Sequence, residues 1–274
     1  MRKAYRRGSV RTVLCALSLI VANLTSVPAQ QTAIPVSPNR MDATGQRTGE
    51  WTLLFGTGMQ PVSDPDSAVF YSVTTFVAGK PDGVSRSHFR GGAVMSETTW
   101  RDGVIVDTVR GWHETGAREF QTPYQGGVPH GRETVWYPDG AKRSEVTYRH
   151  GRENGVQVEW WPNGKKKSEI PFTNGTVSGT AVRWYEDGTK QTEIPHREGR
   201  VHGVRRDWFQ NGTLRSEIGY HQGQRYGIST EWHPSGARIH QTPYKAGKKH
   251  GEAKQWDKDG NCTITVWKDG VQVK

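Results

Sequence analysis

Three side-chain types recur along this chain at a spacing that could do chemistry: histidine, glutamate and tryptophan. His130, His202 and His250 each stand just before a glycine, and imidazole is a common metal ligand. Glu145, Glu169, Glu193 and Glu217 recur every 24 residues, and carboxylates serve as general acids and bases. Trp112, Trp136, Trp160, Trp184, Trp208, Trp232 and Trp256 keep the same interval, and a row of indoles can stack sugars or bases. Two basic clusters, Lys165-Lys166-Lys167 and Lys248-Lys249, follow turn glycines.

Each has a plainer reading. A catalytic carboxylate is needed once, so a fourfold ladder points to support between repeats. A regular aromatic stripe is more often the core side of strands. An anionic-lipid patch wants about four to eight clustered cations, more than either lysine cluster holds. No nucleophile elbow, phosphate-binding Gly loop, H-E-x-x-H or paired-carboxylate motif is present. The residues therefore predict no enzyme, no cofactor and no metal.

The elements that must position these residues follow from the period. Glycine recurs at 116, 140, 164, 188, 212, 236 and 260, with an earlier member at 92. A second glycine series starts at 79 and a third at 83, the latter broken once by Asp107. Such self-similarity decides the architecture ahead of local propensity. Within a unit, polar and apolar residues alternate over short runs bounded by Asn-Gly or Asp-Gly, the strongest short-range hairpin signal. Strands are predicted at 131–137, 141–148, 156–161 and 166–172 and at their 24-residue translates. Val158, Trp160, Ile170 and Phe172 are expected on one buried face, with Glu, Lys and Arg on the other. Pro123, Pro171, Pro195 and Pro243 fall inside strands, so a bulge or an outward-facing nitrogen is expected there. At ~4.8 Å per strand, eight units make an elongated sheet of about 75–85 Å. His202 and His250 then lie about 20 Å apart, too far to share a metal. After Gly260 the pattern loses one residue before Trp267-Lys268-Asp269-Gly270.

Composition agrees with short strands and tight turns: 33 Gly and 11 Trp, but only 33% hydrophobic residues in 274. Net charge is +10, of which five positives (Arg2, Lys3, Arg6, Arg7, Arg11) lie in residues 1–29, which hold no acid. The mild remainder predicts no nucleic-acid partner. Residues 1–29 read as a signal peptide: a basic start, an apolar run at 13–24 too short to span a membrane, and Val27-Pro28-Ala29 as cleavage site. Export to the periplasm, cell envelope or exterior is expected. The mature chain keeps one cysteine, Cys262, which can form no intrachain disulfide. Residues 30–44, with Pro35 and Pro38, read as a flexible linker. Residues 45–70 read as a divergent first repeat, with a Pro- and Asp-rich insertion near 58–66. The repeat array runs over 71–270.

The phrase H-G-x-x-x-x-W-Y-x-N-G-x-x-x-x-E-I-x-Y-x-x-G-x, best seen from Gly151 and from Gly199, resembles the MORN repeat in its bacterial variant form. The resemblance implies an all-β, single-sheet solenoid of 24-residue antiparallel hairpins. It also implies a scaffold for a protein partner, with glycan or anionic lipid as the competing ligand class. Some similar bacterial proteins carry the label of YwqK-type antitoxin components, which the signal peptide does not suit.

Overall fold

The computed structural model describes residues 34–35 and 37–273, so the expected signal peptide lies outside the described residues. Among the described residues, regular structure is almost entirely strand. Its only helical turns are two three-residue 3-10 segments, Thr57–Met59 and Pro65–Ser67, inside the insertion between the strands Arg47–Phe55 and Phe70–Val77. The chain divides into two compact units, Met1–Gly140 and Ala141–Lys274.

In each unit consecutive hairpins join edge to edge into an antiparallel sheet. The second unit shows the repeat most plainly, as in Gly155–Trp160 with Lys166–Thr173, then Gly179–Trp184 with Lys190–Arg197. Two turn types alternate. At one edge, His150-Gly151, Asn174-Gly175 and Glu198-Gly199 place two successive residues at positive φ. This type I′ turn matches strand twist, and glycine takes the second position without strain. At the other edge the Gly164 amide donates to the Trp161 carbonyl at 2.9 Å, and the Trp161 amide donates to the Lys165 carbonyl at 2.8 Å.

The hairpin register sets the faces, and it overturns the expected sorting. Val158 lies opposite Glu169 and Val156 opposite Pro171, while Gln157 lies opposite Ile170 and Glu159 opposite Ser168. Residues opposite one another share a face. One face therefore carries Val156, Val158 and Trp160 together with Glu169, Pro171 and Lys166. The other carries Gln157, Glu159, Ser168, Ile170 and Phe172. Apolar and charged groups are mixed on both, and Trp184 and Ile194 fall on opposite faces. Neither face of the second unit is a conventional core. Its buried apolar residues are Val146 and Ile218, and several buried positions are Ser or Thr, such as Ser168 at 3% exposure.

A bulge recurs in four successive hairpins of the second unit. The register shifts between Glu159 opposite Ser168 and Trp160 opposite Lys166, leaving Lys167 without a partner. Gln191, Arg215 and Ile239 occupy the same place in the next three hairpins. The last hairpin, Gly251–Trp256 with Cys262–Lys268, has an unbroken register from Gly251–Trp267 to Trp256–Cys262. The single residue missing after Gly260 is thus the bulge residue.

The prolines sit elsewhere. Pro171 keeps its place opposite Val156, and its carbonyl accepts from the Ser178 amide at 2.9 Å. Its missing donor faces Ser178, the one residue between Thr176–Val177 and Gly179–Trp184 that belongs to no strand. The proline is tolerated because the facing strand is interrupted there. The ring also explains a glycine: a Cβ on Gly179, at φ +112°, would lie 3.0 Å from Pro171 Cγ. Pro195 over Gly203 and Pro243 over Gly251 repeat the contact.

The first unit is packed more heavily. Phe70 and Met95 are buried with Phe55 and Phe89 against them, and Phe55 stacks on Phe70 at 4.8 Å. Ile105, Val109 and Phe120 form a second cluster. A Cβ on Gly111 would come within 2.0 Å of the Phe120 ring, so only glycine fits beneath it. Part of the stretch expected as a linker contacts the first long strand. From Ser37 onward it is fastened: Arg40–Met41 pairs with Arg47–Phe55, Ser37 Oγ donates to Glu50 Oε1 at 3.0 Å, and Trp51 Nε1 donates to the Arg40 carbonyl at 3.1 Å. These polar side chains complete the edge of the first long strand, which period-based reading of Pro35 and Pro38 does not reveal.

Candidate functional site

The tryptophan series is the most ordered surface feature. Trp112, Trp136, Trp160, Trp184, Trp208, Trp232 and Trp256 all end strands of the Gly131–Trp136 type and are all half-buried. The glycines that follow (Gly116, Gly140, Gly164, Gly188, Gly212, Gly236 and Gly260) all take positive φ, between 79° and 90°. They close the tight turn that fixes where each strand, and so each indole, ends.

In the second unit every indole but one has a cation from the preceding repeat over its ring. Lys142 Nζ lies 5.9 Å from the Trp160 centroid, Lys166 Nζ 6.0 Å from Trp184, Lys190 Nζ 5.2 Å from Trp208, and Arg238 5.3 Å from Trp256. At exposed sites each such contact is worth about 0.5–1 kcal/mol. The glutamate ladder holds the lysines there: Lys142 pairs with Glu145, Lys166 with Glu169 and Lys190 with Glu193. Leu214 breaks the pattern below Trp232, and Glu217 turns instead to Arg206 at 2.7 Å. The carboxylates that sequence marks as candidate acids are therefore spent on positioning.

The residue after two of these tryptophans ties one repeat to the next. Trp161 Nε1 donates to the Trp184 carbonyl at 3.3 Å, and Tyr185 Oη donates to the Trp208 carbonyl at 2.9 Å. The turns are stitched the same way: Asn163 Nδ2 donates to the Glu186 carbonyl and Asn211 Nδ2 to the Pro234 carbonyl. Asp187 holds the equivalent turn position. The Thr189 amide and the Gln210 side chain donate to its carboxylate and hold its pKa below the ordinary value.

The histidines sit in one-residue breaks between two strands, as His130 does between Val128–Pro129 and Gly131–Trp136. The amides of His130, His202 and His250 donate to the carbonyls of Pro123, Pro195 and Pro243 at 2.8–3.0 Å. Among the described residues no group of three or more His, Cys, Asp or Glu is arranged to hold a metal. His202 instead lies 4.8 Å from the ring of His221, a neighbour that the 24-residue count does not supply. Cys262 is exposed and free.

On the opposite face, sequence reading misses a groove of about 460 Å³ beside Arg205, Asp207, Phe209, Arg215, Glu231 and Ile239. Two of these, Arg215 and Ile239, are bulge residues, and a bulge repeated at the same place in successive units leaves the 24-residue period unchanged. Arg205 grips Asp207 through Nε and Nη2 at 2.8–3.1 Å, and Ser216 Oγ donates to the same carboxylate at 2.8 Å. That hydrogen bonding raises the Arg205 pKa. The carboxylate is occupied by structural partners.

Residues 129–150, 153–174 and 201–222 match the MORN repeat variant family. MORN repeats are in general modules for interaction with proteins or membranes. No curated protein matches the chain. A solved structure of a TcdB2-TccC3-Cdc42 complex covers 83% of this chain at 9% identity, with a TM-score of 0.19. This chain spans 16% of that one, and so slight a likeness carries no argument.

Proposed function

We propose that the protein is an exported, non-catalytic scaffold whose tryptophan-bearing face docks a protein partner. One observation carries this reading: a row of half-buried indoles, three of them (Trp160, Trp184 and Trp208) under a lysine clamped by a glutamate, lies beside exposed Val156 (52%), Val204 (40%) and Ile228 (58%) on the same face. Aromatic rings with cations at their margins are the composition of protein-interface hot spots. The competing reading uses the same indoles for glycan or anionic lipid, and a third makes the chain a YwqK-type antitoxin component.

The test is comparative affinity capture from the cell envelope with the mature chain and with Trp184→Ala. A protein retained by the first and lost by the second supports the scaffold. Capture unaffected by the substitution refutes it. A blue shift of indole fluorescence on adding a sugar polymer or anionic vesicles, with no protein retained, moves the assignment to the ligand module. A tagged full-length chain should be found outside the cytoplasm and lack about 29 residues. Intact Met1 in the cytosol would revive the antitoxin reading.

A further inference from the structure

The type I′ turns of the second unit carry an arrangement that folding alone does not favour. Arg149 lies directly opposite Arg152, Arg197 opposite Arg200, and Lys245 opposite Lys248. Like charges facing one another across a hairpin are destabilising. All six side chains are exposed, and no ion pair or hydrogen bond engages any of them. The turns between them place Thr173 opposite Thr176 and His221 opposite Gln224. The edge therefore alternates basic doublets with uncharged hydrogen-bonding pairs. Glu198 is the only acid among the twelve residues of the three basic turns. The turns of the opposite edge carry Glu186, Asp187 and Asp259.

We infer that this edge binds a linear acidic polysaccharide. Successive doublets are separated by four strand spacings, about 19 Å. Duplex DNA presents one charge per ~1.7 Å and would call for a continuous basic track. A lipid surface calls for about four to eight clustered cations, and each cluster here holds two. A polymer with hydroxyls throughout and carboxylates at intervals matches both kinds of turn, charge to doublet and hydroxyl to Thr or Gln. The inference rests on the reading of the chain as exported, but not on the tryptophan face.

The natural variant is already present in the fold: Thr173 and Thr176 occupy the doublet position of a hairpin otherwise like its neighbours. Arg149→Thr, Arg152→Thr, Arg197→Thr, Arg200→Thr, Lys245→Thr and Lys248→Thr in one chain should fold as the parent does, which circular dichroism and the melting temperature check. Hyaluronate is the probe, titrated calorimetrically at low salt, with dextran as the uncharged control. The parent should bind hyaluronate and not dextran, and the six-site variant should lose about tenfold or more in affinity, as six exposed ionic contacts allow. Lys165→Thr with Lys258→Thr, on the opposite edge, and Trp184→Ala should leave binding unchanged. Equal binding by the six-site variant, no binding by the parent, or loss of binding in Trp184→Ala overturns the inference. So does tighter binding of a 30-base-pair DNA duplex or of phosphatidylglycerol vesicles at equal charge.

Discussion

Gly155 and Gly179 provide a paired experiment on what the third glycine series is for. Both have nearly the same backbone, φ +107° and +112°. A Cβ on Gly155 would meet nothing within 4 Å, whereas one on Gly179 would meet Pro171 Cγ at 3.0 Å. Alanine at either site carries the conformational strain of a glycine-only region, about 1–3 kcal/mol. At Gly179 the methyl must also displace a proline ring fixed in a strand, and overpacking of this kind adds about 1–3 kcal/mol. Gly179→Ala should therefore be the more destabilising by at least about 1 kcal/mol. Pro171→Thr, which copies the Thr147 that precedes Gly155, should erase most of that difference. Because repeat arrays can unfold in parts, local hydrogen exchange across the strands 155–160 and 179–184 is the assay of choice, alongside urea melts. Equal costs at the two glycines, or a cost at Gly179 unchanged by Pro171→Thr, would show that the proline does not select the glycine. A costless Gly155→Ala would refute the strain argument.

Three further outcomes follow from the same geometry. Trp184→Ala should cost about 1–2 kcal/mol in urea unfolding, below the ~3–5 expected of a fully packed indole, because the ring is half-buried. Trp161→Phe should lose the hydrogen bond to the Trp184 carbonyl at a cost of about 0.5–1.5 kcal/mol, detectable as faster exchange in the neighbouring hairpin. Asp187 and Asp257, both with lowered pKa values from hydrogen bonds donated to their carboxylates, stabilise the fold above the ordinary carboxylate range and lose that contribution as pH falls through the lowered folded values. Melting temperature should accordingly be flat near neutrality and fall below about pH 4, and Asp187→Asn, which copies Asn163 and Asn211, should weaken the acid dependence while leaving neutral-pH stability nearly unchanged.

The period, the strands and the turns were legible in the sequence because they depend on local chemistry: Asn-Gly and Asp-Gly turns and polar–apolar alternation. Strand ends are within a residue or so of expectation, as at Gly131–Trp136 and Lys166–Thr173. The sorting of faces was not legible. Alternation says which residues of one strand share a side, but the turn decides which residue of the partner they meet. Here the turn sets Gln157 against Ile170, so the two apolar runs of a hairpin point opposite ways. For the site, the indole row could be read directly. The lysines over Trp160, Trp184 and Trp208 could not, since each comes from a strand 18 residues earlier. The basic doublets are not legible in the sequence, because Arg149 and Arg152 carry meaning only through facing each other across the hairpin.

Several hydrogen bonds between repeats join a donor to an acceptor 23 positions later: Trp161 to Trp184, Tyr185 to Trp208, Asn163 to Glu186, Asn211 to Pro234. A fixed offset of this kind makes the array indifferent to its own length. If 24 consecutive residues were excised or duplicated, each donor would meet the same type of acceptor it meets now, supplied by a different copy. Gene-level slippage in whole multiples of the unit would then change how many indoles and basic doublets the protein displays, and so its reach along a partner, while keeping backbone acceptors at the same offset from these donors.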